Sequence, residues 1–99
     1  MEITLQYFDG CPNWMVASDR LAVIAQDRPD ITVVRRRVET PEEAEVVGFR
    51  GSPTVLVNGR DPFSDPSAPV GLACRLYLTP DGLAGAPTLD QLRAAIRAA

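Results

Sequence analysis

Histidine and lysine are both absent from this 99-residue chain, and all ten of its basic residues are arginine. Without histidine, the commonest metal ligand and the commonest general base are missing. Neither a zinc site nor a Cys/His catalytic pair can then be built from this chain alone, and no metal site or cofactor is expected. Cysteine is scarce, at two residues, which is too few for a disulfide framework of the secreted kind. Cytosolic thiols stay reduced unless they are catalytic or redox-sensing. No run of about 18 apolar residues occurs and no basic-then-apolar leader opens the sequence, so neither a membrane span nor a signal peptide is predicted. A cytoplasmic protein is expected. The net charge of −3 lacks the basic surplus of a nucleic-acid footprint. Residues 1–99 are expected to form one domain around one core.

What is present is a clear alternation of periods. Ile3, Leu5 and Tyr7 alternate with Thr4, Gln6 and Phe8, the period-2 pattern of a strand. From Pro12 the apolar residues Trp14, Ala17, Leu21, Ile24 and Ala25 fall at helical spacing, and the helix is expected to stop before Pro29. Ile31 to Val38 reads as a second strand, apolar enough at its start to be buried on both faces of a parallel sheet. Thr40-Pro41-Glu42-Glu43 opens a short helix with a capping hydroxyl, proline at the first position and acids in the first turn, ending near Gly48. Ser52 to Val57 is a β-branched strand running into the turn signal Asn58-Gly59. Its partner does not follow at once, because Arg60 to Leu72 holds Pro62, Pro66 and Pro69. Ala73 to Leu78 is therefore expected to be the delayed antiparallel strand. Thr88-Leu89-Asp90-Gln91 is a capping box that opens the last helix.

Asp9-Gly10-Cys11-Pro12-Asn13-Trp14 sets a thiol between the first strand and the first helix. A thiol reacts as its thiolate, and the unpaired N–H groups of a helix N-terminus favour that charge. Pro12 suits the first helical position, which puts Cys11 at the cap and makes it the candidate nucleophile. The plain alternative is a buried small hydrophobe. Asp9, two residues before the thiol, opposes thiolate formation.

The order of elements, together with Asp9 to Trp14 and the segment Val46 to Gly59, resembles the thioredoxin-like superfamily. The Cys-Pro-Asn-Trp motif is similar to a glutaredoxin-type Cys-Pro-x-Cys whose second cysteine has become Trp14. The resemblance implies an α/β fold of βαβ-α-ββ-α order, with a four-stranded mixed sheet and helices on both faces. It also implies that Ser52-Pro53 is cis and lies beside Cys11; unaided, an X-Pro bond is cis only about 5–6% of the time. In that position Ser52 would offer backbone groups to an extended peptide or thiol substrate, and Pro12, Trp14, Ser52 and Pro53 become candidate substrate-binding residues. For Trp14 and Pro53 the plain readings are core packing and the shaping of an inner strand.

Cys74 alternates with Leu76 and Leu78, which reads as one apolar face of a strand and an inert core thiol. Its alternative is a resolving cysteine. An antiparallel return strand would carry Leu78 to Gly82 nearer to Cys11 than Cys74, beyond the roughly 7 Å Cα limit of a disulfide. Arg35-Arg36-Arg37 reads as a solvated run balanced by nearby glutamates. The function expected first is monothiol exchange through Cys11 with a protein disulfide or a low-molecular-weight thiol. A non-catalytic interaction module of the same fold is the second reading. The third is thiol-based handling of mercury or another soft metal, from a short likeness of Ala68-Pro69-Val70 and Thr79 to Gly82 to organomercurial lyases.

Overall fold

The computed structural model describes residues 1–99 and builds them around a central strand, β1 (Glu2–Tyr7). Strand β2 (Thr32–Arg37) runs parallel to it on one side and β3 (Thr54–Val57) antiparallel on the other, with Leu5 opposite Arg35 and Val55. Helix α1 (Trp14–Asp27) makes the crossover between β1 and β2, and α2 (Pro41–Val47) connects β2 to β3. A short hairpin of β4 (Tyr77–Thr79) and β5 (Gly82–Ala84) follows, then α3 (Leu89–Ala98). No helix is long and apolar enough to cross a membrane.

The alternation in β1 does what its period requires. Ile3 and Leu5 face the same side as Val57 and Val55 across the sheet, and the apolar stripes of α1 (Ala17, Leu21, Ile24) and α3 (Leu92, Ile96) close over them. The capping residues also act as their chemistry predicts. Thr40 Oγ1 accepts from Glu43 N at 3.1 Å, Gly48 ends α2 in the left-handed region, and Thr88 and Gln91 form the reciprocal box at the start of α3.

Three expectations are corrected. Strand β2 is a largely exposed edge rather than an inner strand, because Arg35, Arg36 and Arg37 occupy half its length and remain in water. Helix α1 begins at Trp14 with Asn13 at the N-cap; Pro12 and Asn13 form a preceding turn in which Met15 N bonds to Pro12 O, so Cys11 sits one turn ahead of the helix and not at its cap. The sheet has three strands, not four, and β4 pairs with β5 alone.

The missing fourth strand has a physical cause in Arg60 to Leu72. Asn58 and Gly59 both take positive φ, the conformation of a two-residue hairpin turn, but pairing ends after the single bridge Val57–Arg60 and the chain leaves at Pro62. It is then carried back toward the start of β3. Gly71 N bonds to Phe49 O at 3.0 Å, and Arg50 reaches the carbonyls of Pro66 and Ala68. Val70 and Leu72 pack on a second small core of Val38, Ala44 and Phe49. Residues 73–75 consequently enter beside Ser52 in the parallel sense, Ser52 bridging Cys74, where an antiparallel return was expected.

Phe49, fully buried, is the largest side chain in that second core. Phe49→Ala is expected to lower the unfolding free energy of the oxidised protein by about 3–5 kcal/mol, read from urea denaturation.

Candidate functional site

Cys11 and Cys74 are joined by a disulfide across 63 positions of sequence, with their Cα atoms 5.6 Å apart. This overturns the geometric case against their pairing, which assumed an antiparallel return. Entering parallel to the start of β3, the chain brings Cys74 itself to Cys11. The burial phase of this stretch is also the reverse of the expected one. Leu76 and Leu78 are exposed, as is Cys74 despite its bond to Cys11, whereas Tyr77 and Thr79 are buried and Arg75 is partly so.

Polar partners explain the inversion. The Arg75 guanidinium bonds to Asp61 at 2.7 Å, to Thr54 Oγ1 at 3.3 Å and to the Phe63 carbonyl, and it lies 4.7 Å from the centre of the Tyr77 ring. Its side chain retains 9% of its exposure and that of Asp61 18%, so the pair is held largely out of water. The Tyr77 hydroxyl donates to the Pro53 carbonyl, and the Thr79 hydroxyl to Gly82 O at 2.7 Å. Arginine, tyrosine and threonine therefore form the inner face because each finds a partner there, and the leucines between them are left outside.

Ser52 stands at the centre. The Ser52-Pro53 bond is cis, in accord with the expectation, and both residues are buried. Ser52 N donates to Ala73 O at 2.8 Å and Ser52 O accepts from Arg75 N at 2.9 Å. The backbone groups expected to receive an extended substrate are thus occupied by the chain's own residues 73–75. Ser52 Oγ accepts from Phe8 N at 3.3 Å, which ties the end of β1 to the same point. Gly51 permits the close approach: its φ is +121°, and a Cβ there would stand 2.9 Å from Arg75 Cβ.

Around Cys11, which has no exposed surface, Sγ lies 3.6 Å from Ser52 O and accepts a contact from Asn13 Nδ2 at 3.7 Å. The Asn13 side chain is itself pressed against Gly85. Asp9, the carboxylate that would oppose a thiolate, is paired with Arg37 at 2.7 Å, and Arg37 also meets Glu39. Pro12 is exposed. Trp14 is turned onto the Tyr7 ring, with centroids 4.3 Å apart, and packs against the main core. The structure therefore unites Cys11, Ser52, Pro53 and Cys74 but gives Trp14 a packing role. Sequence reasoning missed Asn13, Asp61, Arg75 and Tyr77. The alternation of Arg75 and Tyr77 was visible, but an arginine on the inner face becomes legible only once Asp61 is known to meet it.

No cluster of three or more His, Cys, Asp or Glu side chains that could hold a metal ion is present. No known protein-family model matches the chain, and no curated protein matches its sequence.

Closing a loop of this length is expected to stabilise the oxidised chain by about 4 kcal/mol through the unfolded state. The urea midpoint should accordingly fall on reduction. Burial holds the Tyr77 phenol well above its ordinary value, so the folded chain keeps this proton where the unfolded chain loses it. The contribution is full below about pH 10 and is lost as pH rises beyond it. Neither lysine nor a free thiol titrates across this range in the oxidised protein. Tyr77→Phe should cost about 1 kcal/mol at pH 8 and flatten the alkaline fall in stability, measured by urea unfolding at pH 8 and near pH 11.

Proposed function

We propose that this protein is a thioredoxin-like thiol/disulfide exchange protein whose working couple is the Cys11–Cys74 pair. The observation that carries the reading is the disulfide itself, set against the Ser52-Pro53 corner with one sulfur buried and the other residue at the surface. The arrangement of β1 between a parallel β2 and an antiparallel β3, with a cysteine between β1 and α1, supports the thioredoxin-like relationship. The departure from that pattern is the second thiol, which arrives from residue 74 instead of residue 14. A protein of this kind needs no external thiol to resolve the mixed disulfide formed when it is oxidised, in contrast to the monothiol scheme, because the second cysteine does so and the pair stores two electrons.

The partner that suits the site is a low-molecular-weight thiol or its disulfide. A peptide adding as a strand would compete with residues 73–75 for Ser52 N and O, which are already bonded at 2.8 and 2.9 Å. The same occupation weighs against a pure peptide-docking module. Two adjacent thiols in the reduced protein would also suit a soft metal, but no third ligand strengthens that reading.

Equilibration in glutathione buffers of graded potential, followed by acid quenching and mass analysis, tests the proposal. A reversible two-electron transition with a midpoint between about −300 and −120 mV is expected. A protein that stays oxidised below that window holds a structural staple, and the exchange reading then fails.

A further inference from the structure

The two cysteines differ sharply in exposure, and exchange chemistry is sensitive to the difference. A thiolate attacks a disulfide along the S–S axis, from the side opposite the departing sulfur, so the sulfur whose far side is open is the one attacked. Cys11 has no exposed surface and is enclosed by Ser52 and by the Asn13 side chain, which Gly85 backs. Cys74 is exposed, on a segment whose polar groups are bonded inward through Ala73 O and Arg75 N, with Leu76 also outside.

We infer that Cys74, not Cys11, is the sulfur that exchanges with the external thiol or disulfide, and that Cys11 is the buried partner that leaves and returns. The inference rests on the exchange reading above and reverses the roles the sequence suggested, in which Cys11 attacks and Cys74 resolves. Reduction begins when an external thiolate attacks Cys74 Sγ. The Cys11–Cys74 bond breaks, a mixed disulfide forms on Cys74, and Cys11 departs with the electron pair as a thiolate. A second external thiol attacks the outer sulfur of the mixed disulfide, releasing the external disulfide and the Cys74 thiolate; two protons complete the dithiol. In the opposite direction the Cys74 thiolate attacks an external disulfide and expels one thiolate. Cys11 then attacks Cys74 Sγ, expels the second, and restores the internal bond.

One neighbour favours Cys11 as the leaving sulfur. The Asn13 amide points at Sγ from 3.7 Å, and Asp9, the carboxylate that would oppose a thiolate, is paired with Arg37. The amide offsets the cost that burial and the Ser52 carbonyl at 3.6 Å place on negative charge at the departing atom. Asn13 would thus act as a positioning residue for the thiolate.

The decisive experiment uses the wild-type protein. Oxidised protein is mixed with excess reduced glutathione, quenched in acid within seconds and mapped by mass spectrometry. The expected adduct is on Cys74, with Cys11 free. An adduct on Cys11 overturns the assignment while leaving thiol exchange intact; no adduct and no reduction overturns both. Single variants give a second measure with oxidised glutathione on the prereduced chains. Cys11→Ser should accumulate a persistent Cys74 adduct, and Cys74→Ser should form its Cys11 adduct at least tenfold more slowly. Equal rates, or a faster Cys74→Ser, would count against the assignment.

Discussion

The bonding of Ser52 to residues 73–75 is the constraint on which the site depends. Both backbone groups of a fully buried residue must be paired, and here they are paired by the chain's own return. The Ser52 hydroxyl binds the end of β1 and its carbonyl lies against the Cys11 sulfur, so three stretches distant in sequence are fixed at one residue. Once Arg75 N is bonded to Ser52 O, the arginine side chain is within reach of Asp61 and Thr54, and Tyr77 comes under Pro53. The disulfide adds a covalent bond to an arrangement that the polar groups already define.

Much of the scaffold was legible because it is built from local rules. The period of Ile3, Leu5 and Tyr7, the stripe of α1, the hydroxyl caps at Thr40 and Thr88, and the Asn58-Gly59 turn each act within a few residues. Cys11 was marked by its place between the first strand and the first helix, the Ser52-Pro53 corner by resemblance, and they do meet. The path from Arg60 to Arg75 was not legible, since it turns on contacts between residues remote in sequence: Phe49 with Gly71, Arg50 with Ala68, Asp61 with Arg75. The leucines of 76 and 78 misled for the same reason. Their hydrophobicity suggests an inner face, but satisfying a guanidinium and a phenol decided which face turned inward. The edge position of β2 was open to inference from its three arginines, which do not suit a strand covered on both sides.

A consequence for specificity follows from the same occupation. Thiol exchange proteins that receive peptides need an unpaired backbone edge, and the edge here is filled from within. Small thiols, the partners proposed above, need no such edge, and of the two cysteines it is Cys74 that is exposed to them. Stability and reactivity are then divided between two residues: the buried cysteine is protected by the fold and the exposed one faces the medium.

The Arg75–Asp61 pair does not depend on the oxidation state of sulfur, and it lies immediately beyond Cys74. With that anchor and the Ser52 bonds in place, breaking the S–S bond would leave Cys74 tethered on both sides and not released into free chain. The second thiol therefore remains near the first at an effective concentration set by the anchored segment and not by a flexible loop of more than sixty residues. For short tethers such values are in the millimolar range. In the exchange reading proposed above, ring closure would then outpace capture of a second external thiol until that thiol reaches a comparable concentration, so the anchor sets how large the surrounding thiol pool must be before the mixed disulfide is populated.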